Sequence, residues 1–472
     1  MMLRVYNTLT RKKDDFLPQG SPVQFFVCGP TVYSRSHIGH ARTYIAFDVI
    51  VKYLRTEGYA VQYLQNITDI DDKIINRAKE LNVPPLELSK KESERYFADM
   101  RSIKVDSVSR YAPASEYISE IISQIERLNE KGNGYEAGGS VYFDISTFPA
   151  FGTLSGQNRE ALQKATRTHD DPNKKHPHDF VLWRSRKKNE KDSEEPVWES
   201  PWGSGRPGWH IEDTAITEKE FGPRYDLHGG GIELMFPHHE AEIAQMESVS
   251  GKIPFVHYWL HTGWVTVKGE KMSKSLGNFI TIEEILKKFS PEALRLLMLQ
   301  THYRSPLEYS EEHINAAENR VHKLKEFRAH LRLIQTKKLY GTSRTLLEID
   351  EENETSPITK FKKSMNDDFN TPMALSVFDG VIADTNELLT AKNPPTQESI
   401  MKIFEFLEYT NDIFGILPAE IQIPAEIVRR VEKREALRHD QKWNEADVIR
   451  NALLNQGFIV SDTPYGFIII PA

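Results

Sequence analysis

The chain has 472 residues, of which 39% are hydrophobic and 27% are charged. These values are typical of a globular protein and exclude extensive disorder or a fibrous fold, and a chain of this length usually forms about three domains. Its net charge of −8 argues against a protein that coats DNA nonspecifically, although local basic patches can still bind a nucleic acid.

No apolar run approaches the roughly 20 residues of a membrane span, and the N-terminal segment lacks the apolar stretch of a secretory signal. We therefore expect a cytoplasmic protein without a membrane partner. Cys28 is the only cysteine, which excludes an intramolecular disulfide and fits a reducing compartment. A free cysteine often packs as a small apolar side chain; the alternative is a metal ligand or a reactive group.

The first hundred residues alternate between strand-like and helix-like segments. VQFFVCGPTVY (23–33) predicts a buried strand that runs into a tight turn, and IGHARTYIAFDVIVKYLRTEG (38–58) has the apolar spacing of a helix. AVQYLQNITDI (60–70) predicts a second strand, and DDKIINRAKELN (71–82) predicts a second helix. This alternation is typical of an α/β fold with a parallel sheet, so we expect a nucleotide-binding domain.

The region from about 155 to 200 is polar and basic, and we expect an exposed insertion there. Strand-like sequence resumes at YDLHGGGIELMF (225–236) and continues through VHYWLHTGWVTVKG (256–269), before Thr281 and Glu284 show the spacing of a capping box. From about 310 onward the spacing is helical and predicts a bundle. The last fifty residues predict a basic helix followed by a small hairpin.

Two short motifs carry candidate chemistry. His37-Ile38-Gly39-His40 lies where a predicted strand leads into a helix, and the N–H groups and dipole of a helix start bind anions such as a triphosphate. Far downstream, KMSKS (271–275) places lysines on a loop before a capped helix. Two surface histidines or a solvated loop would give either pattern alone, but the two motifs at opposite ends of one nucleotide fold are specific together.

These motifs resemble the HIGH and KMSKS signatures of class I aminoacyl-tRNA synthetases. Seven ordered blocks resemble the cysteinyl-tRNA synthetase family over nearly the whole chain: FVCGPTVY, GHARTYIAFDV, NITDIDDKII, GRPGWHIE, HGGGIELMFPHHEAEIAQ, KMSKSLGN and MNDDFNTPMAL. The resemblance implies an α/β Rossmann-like catalytic domain at 1–310, with an inserted connective region at about 100–225. An all-α helical bundle at 311–418 and a small anticodon-binding module at 419–472 would follow.

The resemblance also implies one zinc ion per subunit, held by Cys28, Asp213, His238 and Glu242. The i, i+4 spacing places His238 and Glu242 on one helix face. The family usually has cysteine where this chain has Asp213, so Asp213 either ligates zinc through a carboxylate oxygen or acts as an outer ionic partner. Zinc prefers thiolate to a neutral hydroxyl, which would select cysteine over serine without an editing domain.

The implied reaction is attack of the cysteine carboxylate on the α-phosphorus of ATP, which binds with Mg²⁺, followed by transfer to the 3′ end of tRNA(Cys). The resemblance assigns His37 and His40 to the phosphates, and Lys271 and Lys274 to the transferring group. It places further residues in the amino-acid pocket (Gly29, Thr68 and Trp209) and beside the adenosine (His228, Gly230 and Glu233). As alternatives, Trp209 is a core residue and the glycines form only a turn.

Three aspartates, Asp69, Asp71 and Asp72, look like a metal cluster, but we favour a solvated helix start. Near the C-terminus, the basic helix with Arg438 and the following Trp443 resemble an anticodon-end module that contacts tRNA. Trp443 either stacks on a base or belongs to the core of a charged helix.

We expect a monomer that uses L-cysteine, ATP and tRNA(Cys). One alternative is a cysteine ligase that acts on a small amine, against which the residues after about 310 argue. The other is a catalytically silent tRNA-binding relative, which the intact signatures disfavour.

Overall fold

The computed structural model describes residues 2–157, 171–186, 195–272, 279–345, 347 and 355–471. The chain divides into two compact units. The first comprises Met1–Lys288, Thr301–Tyr309 and Asn366–Phe369, and the second comprises Phe289–Gln300, Ser310–Met365 and Asn370–Ala472. The helical region and the C-terminal hairpin therefore fall in one unit, and a short late segment returns to the first.

The strands of the first unit are named in chain order. They are β1 (Arg4–Asn7), β2 (Lys12–Asp15), β3 (Val23–Val27), β4 (Val61–Ile67), β5 (Arg110–Pro113), β6 (Gly134–Ala137), β7 (Ser140–Phe143), β8 (Phe180–Ser185), β9 (Gly205–Pro207), β10 (Tyr225–Gly231), β11 (Val256–Thr262), β12 (Val265–Val267), β13 (Glu270–Lys271) and β14 (Leu307–Tyr309). Its α-helices are Ile38–Thr56, Asp72–Leu81, Pro85–Ser102, Ile118–Glu130, Trp209–Phe221, Glu240–Ser250 and Ile282–Leu286.

The predicted parallel sheet is confirmed. Its strand order is β11-β10-β3-β4-β5, and every neighbouring pair is parallel. The chain starts at β3 in the middle, builds outward through β4 and β5, and then crosses to β10 and β11 on the other side. The strand order thus reverses between β3 and β10, which is where open α/β sheets form a ligand crevice at the carboxyl ends of their strands.

A second sheet corrects the predicted exposed insertion. Strands β6, β7, β8 and β9 pair antiparallel, and the side chains of Leu182 and Trp183 in β8 are fully buried. The prediction was wrong for this strand because its two apolar residues pack into a larger cluster of the first unit despite the charged sequence around them. Two parts of the predicted insertion, at 158–170 and 187–194, lie outside the described residues.

The second unit is mainly helical, as predicted. Its helices are Pro291–Leu299, Glu311–Lys337, Pro357–Asn366, Thr371–Thr390, Gln397–Phe414, Ala425–His439 and Trp443–Leu454. The predicted C-terminal hairpin is confirmed as antiparallel β15 (Phe458–Thr463) and β16 (Gly466–Pro471), which share a small apolar core with the last two helices. Within the described residues, no helix combines the length and apolar content that a bilayer crossing requires.

Candidate active site and metal centre

A cleft of about 670 Å³ opens in the first unit, where β3 and β10 end. Its wall brings together many of the residues predicted from the sequence. They are Cys28, Gly29, His37, His40, Thr68, Trp209, Asp213, Glu233, His238 and Lys271. Residues separated by more than 240 positions in the chain thus line one space, because the parallel sheet aligns the ends of its strands.

The HIGH motif forms the cap of the helix Ile38–Thr56. The Nδ1 atom of His37 accepts hydrogen bonds from the backbone N–H of Gly39 (3.1 Å) and His40 (3.4 Å), and His40 Nδ1 accepts from the His37 N–H (3.4 Å). The two imidazole rings stack with centroids 3.8 Å apart. Because both Nδ1 atoms accept, a neutral ring at either position carries its proton on Nε2.

This cap changes the predicted origin of the anion site. We expected the first backbone N–H groups of the helix to bind phosphate, but those of Gly39 and His40 already donate to His37, and the N–H of Ile38 donates to the Ile280 carbonyl. The imidazole Nε2–H groups are therefore the donors that the motif presents to an anion, with the helix dipole behind them.

Glycine at position 29 is required by close packing. A Cβ added to Gly29 would lie 1.7 Å from the carbonyl oxygen of Asn66. The Gly29 N–H donates to the Asn66 side-chain oxygen, so the turn after β3 is fixed against the end of β4. The structure therefore explains why the CGP turn needs glycine beside the cysteine.

Four predicted ligands form one buried cluster, here called the upper set: Cys28, Asp213, His238 and Glu242. One donor atom from each lies within 4.8 Å of all the others. His238 Nε2 is 3.0 Å from Asp213 Oδ2 and 2.8 Å from Glu242 Oε1. A tetrahedral zinc ion with bonds of about 2.0–2.3 Å holds its donors roughly 3–4 Å apart, so the donor set fits the ion in type and spacing.

The electrostatics of the upper set also favour a cation. Burial, together with the Glu242 and Asp213 carboxylates, raises the pKa of the Cys28 thiol well above its ordinary value. Burial likewise raises the pKa of Glu242. Burial alone would lower the pKa of His238, but the two carboxylates outweigh it and raise that pKa. A bound divalent ion would reverse these shifts by stabilising the thiolate and the carboxylates.

Neighbouring aromatic rings hold His238 in place. The Trp209 indole stacks on the His238 imidazole with centroids 4.1 Å apart, and His210 Nδ1 lies 2.9 Å from His238 Nδ1. Trp209 is 39% exposed, so the alternative that it is only a core residue is wrong. The sequence did not identify His210, although its place beside Trp209 in GRPGWHIE is a usable signal.

Asn66 is a further residue that we missed. Its side-chain nitrogen donates to Asp213 Oδ1 (2.6 Å) and to Thr68 Oγ1 (3.3 Å), while its oxygen accepts from the Gly29 N–H. One amide thus joins residues of the CGP turn, the predicted amino-acid pocket and the upper set. Its signal was its place in NITDIDDKII, at the carboxyl end of β4.

His228 does not lie where the resemblance placed it. Its imidazole is fully buried and does not line the cleft, so contact with adenosine is excluded in this arrangement. The His228 side chain instead points from β10 into the protein interior, where its Nε2 is 3.3 Å from Cys28 Sγ. Gly230 is also buried in β10, whereas Glu233 is exposed on the cleft wall.

The described part of the KMSKS motif ends at Met272. The Lys271 Nζ lies 5.0 Å from the centre of the Trp264 ring, on the cleft wall. Lys274 lies outside the described residues, so its predicted role stays a prediction.

Asp71 and Asp72 of NITDIDDKII form a helix start, as we favoured, whereas Asp69 lies before the helix. Asp71 caps the helix Asp72–Leu81 by accepting from the Lys73 N–H (2.7 Å). Asp69 accepts from Ser115, and Asp72 pairs with Arg206. Their carboxylates therefore have structural partners.

At the C-terminal end, Arg438 and Trp443 are neighbours and are here called the C-terminal face. The Arg438 guanidinium lies 5.4 Å from the Trp443 ring centre and also pairs with Asp462 (3.1 Å). Trp443 is 53% exposed, so the core alternative is wrong. In contrast, Arg434 of the predicted basic helix is buried and ion-paired to Asp462, and it serves the fold.

Comparisons with known proteins agree with this architecture. The family model described as "tRNA synthetases class I (C) catalytic domain" matches residues 17–319, and the "DALR domain" model matches residues 360–418. Among solved structures, methionyl-tRNA synthetase from Mycobacterium tuberculosis in complex with methionyl-adenylate has a TM-score of 0.62 at 16% identity. That alignment covers 84% of this chain and 90% of that one, and it supports the fold.

Curated relatives extend the likeness to the whole chain. The cysteine–tRNA ligase of Thermococcus gammatolerans is 43% identical over 479 residues, covering 99% of this chain and 98% of the relative. That of Thermoplasma acidophilum is 44% identical over 466 residues, covering 98% of each. On this evidence, the chain belongs to the cysteine–tRNA ligase family of class I aminoacyl-tRNA synthetases.

Proposed function

We propose that this protein is a cysteine–tRNA ligase. The carboxylate of L-cysteine attacks the α-phosphorus of ATP, and pyrophosphate leaves with the electrons of the broken phosphoanhydride bond. A hydroxyl of the terminal adenosine of tRNA(Cys) then attacks the carbonyl carbon of the adenylate, and AMP leaves. Family membership supports the reaction, and the observation that carries the choice of amino acid is the buried thiol, imidazole and two carboxylates at the floor of the cleft.

Cys28, Asp213, His238 and Glu242 would hold a zinc ion. Such an ion prefers a thiolate to a neutral hydroxyl and so supplies selection of cysteine over serine, which an ordinary pocket separates by only about a hundredfold. The members of the upper set on the cleft wall are Cys28, Asp213 and His238, which leaves one side of the set toward the space for substrate. An open side is typical of zinc sites that act on a ligand.

The amino-acid pocket is formed by residues around this floor. Gly29 and Thr68 both bond to Asn66, which supports a rigid pocket edge, and Trp209 closes the other side by stacking on His238. Fixed groups of this kind bring the cysteine carboxylate to the α-phosphorus without reorganisation of the site.

His37 and His40 bind the phosphates. Their Nε2–H groups donate to the phosphate oxygens of ATP and stabilise the charge that develops on the pentavalent phosphorus. Lys271, and Lys274 on the following loop, add positive charge to the pyrophosphate as it leaves, and Mg²⁺ accompanies ATP. Gly230 and Glu233 lie at the end of β10, where the adenosine would bind.

For the tRNA, we assign Arg438 and Trp443 to contact with unpaired bases or the backbone at the anticodon end. An exposed indole offers a stacking surface for a base, and a neighbouring guanidinium adds charge.

The test is amino-acid-dependent exchange of pyrophosphate into ATP, with cysteine and serine compared and zinc quantified in the same preparation. We expect exchange with cysteine, little with serine, and about one zinc per chain. Charging of a tRNA(Cys) transcript tests the second step separately, and hydroxylamine as a small acceptor tests whether any amine suffices. Full exchange in a metal-free preparation would contradict the zinc assignment, and exchange without charging would contradict the tRNA step.

A further inference from the structure

A second set of donors lies next to the first and shares Cys28 and Glu242 with it. This lower set comprises Cys28, His228, His239 and Glu242, and its donor atoms also lie within 4.8 Å of one another. Cys28 Sγ is 3.3 Å from both His228 Nε2 and His239 Nε2. Glu242 reaches both sets, since its Oε2 is 3.3 Å from His228 and its Oε1 is 2.8 Å from His238.

Outer hydrogen bonds orient both imidazoles of the lower set. The Tyr225 hydroxyl lies 2.7 Å from His228 Nδ1, and His261 Nε2 lies 2.8 Å from His239 Nδ1. His261 is held in turn by Thr8, at 2.8 Å. Metal-binding histidines almost always use their second nitrogen in this way, because the outer bond fixes the ring and the tautomer. Both Nε2 atoms point at Cys28 as ligands would.

The charge of the lower set matches a divalent ion better than that of the upper set. With Cys28 and Glu242 ionised and two neutral imidazoles, the lower set carries −2 and neutralises a 2+ ion. The upper set carries −3, because Asp213 adds a carboxylate. All of these groups are buried, and an uncompensated charge is costly in such surroundings.

Asp213 also has a partner outside the upper set. Its Oδ1 accepts from Asn66 at 2.6 Å. The lower set, however, has no member on the cleft wall except Cys28, so an ion there is shielded from the substrate space. A substrate thiol can reach the ion only in the upper set.

We propose that Cys28, His228, His239 and Glu242 form a second position for the divalent ion, which the ion occupies while no cysteine is bound. Cysteine then draws the ion to the upper set, where the substrate thiolate completes its ligands. This inference rests on the proposed function, since it concerns the same zinc ion and the same amino acid. It applies to this chain because Asp213 supplies the upper set with a carboxylate, a harder ligand than a thiolate, and this carboxylate already accepts a hydrogen bond from Asn66.

X-ray absorption at the zinc edge of the full-length protein tests the position directly, without any variant. Substrate-free protein should show two imidazoles and one sulfur around zinc. Addition of cysteine should lower the number of imidazole ligands from two to one and raise the number of sulfur ligands from one to two. Serine should change neither number.

Adjacent histidines provide a matched pair of variants. In substrate-free protein, His239→Gln removes a ligand and should weaken zinc binding more than His238→Gln, which reaches the lower set only through Glu242 and, as an outer partner of that ligand, should cost about 10- to 100-fold. Thermal melts of both variants check that each is folded, and the absorption measurement stands if either is not.

One imidazole in the substrate-free protein, with zinc affinity lost in His238→Gln and kept in His239→Gln, would overturn the second position and leave the zinc-dependent function intact. A protein that binds no zinc yet activates cysteine would overturn both. The two failures are therefore distinguishable.

Discussion

The cleft floor of the first unit and the C-terminal face of the second both use charged and aromatic residues, but in opposite surroundings. At the floor, the ionisable side chains of both sets are buried and touch one another at hydrogen-bond distance. At the C-terminal face, Trp443 is more than half exposed, and Arg438 shares Asp462 with Arg434 near the surface.

The two surroundings tolerate substitution to different degrees. Buried charges interact strongly and cost much when a partner is lost, so the floor must be complete before a substrate arrives. Exposed charges are screened by salt, and each contributes little alone. We expect floor substitutions to abolish activation of cysteine, and C-terminal substitutions to weaken tRNA binding by degrees.

The largest effect is expected for Asp213→Ala, which removes a donor and leaves His238 with one carboxylate. We expect zinc affinity in the presence of cysteine and cysteine-dependent pyrophosphate exchange to fall together, with exchange reduced by at least about 100-fold, since even outer partners of metal ligands cost 10- to 100-fold. Asp213→Cys is the matched control and should retain both. Unchanged zinc affinity of Asp213→Ala in the presence of cysteine would refute direct or supporting contact with the metal.

Asn66→Ala should have the next largest effect, because it removes the hydrogen bonds of this side chain to Asp213, Thr68 and Gly29. We expect exchange to fall by about 10- to 100-fold. Asn66→Asp separates the causes, since it keeps the acceptor for Gly29 but sets a carboxylate against Asp213. If Asn66→Asp is fully active, the bond to Asp213 is dispensable and the role of Asn66 is confined to the turn.

Glu247 is a buried acid outside both sets, so it shows the effect of burial on a carboxyl group without a metal site. Burial raises its pKa to about 7, against an ordinary value of 4.5. The folded state therefore binds the Glu247 proton more tightly than the unfolded state does. The stability that this proton contributes is complete below about pH 4.5 and is lost as the pH rises through 7. Glu247→Gln should raise the free energy of unfolding by about 2 kcal/mol at pH 8 and leave it unchanged near pH 4. Urea titrations at both pH values measure this, and an equal gain at each would contradict the cause.

Trp443→Ala should have the smallest effect and should spare the floor. Loss of one stacking surface is worth about 1–3 kcal/mol, so we expect the KM for tRNA(Cys) to rise about tenfold while exchange with cysteine stays unchanged. Trp443→Tyr keeps an aromatic face and should recover most of the affinity. A fall in exchange would instead show that the residue acts through the fold.

Local patterns predicted the parts of the fold that depend on near neighbours. Strand and helix alternation gave the parallel sheet, and the capping pair Thr281 and Glu284 was found as written. The sequence did not predict which side chains are buried by packing against residues distant in the chain. Nothing local marks Trp183 as buried in a charged segment, or Arg434 as the buried member of a basic helix.

The candidate site shows the same limit. The resemblance supplied the four members of the upper set, and the structure brings them within contact of one another. It could not supply the orientation of His228, which depends on how β10 turns its side chains toward the interior. Nor could it supply the amide of Asn66 between Gly29 and Asp213, since those residues meet only after the sheet has formed.

The short segment Asn366–Phe369 has a consequence for how the protein is made. Its Asp368 is fully buried in the first unit, where it accepts from the Tyr6 N–H (2.8 Å), the Tyr303 hydroxyl (2.9 Å) and the Arg304 guanidinium (2.7 Å). A nascent chain therefore leaves its N-terminal strand and this arginine without their common acceptor until residue 368 has emerged from the ribosome. Synthesis of the helices through Pro357–Asn366 must precede completion of the catalytic unit. A product truncated after residue 310 would therefore carry the HIGH and KMSKS motifs and still lack the carboxylate that accepts hydrogen bonds from its first strand.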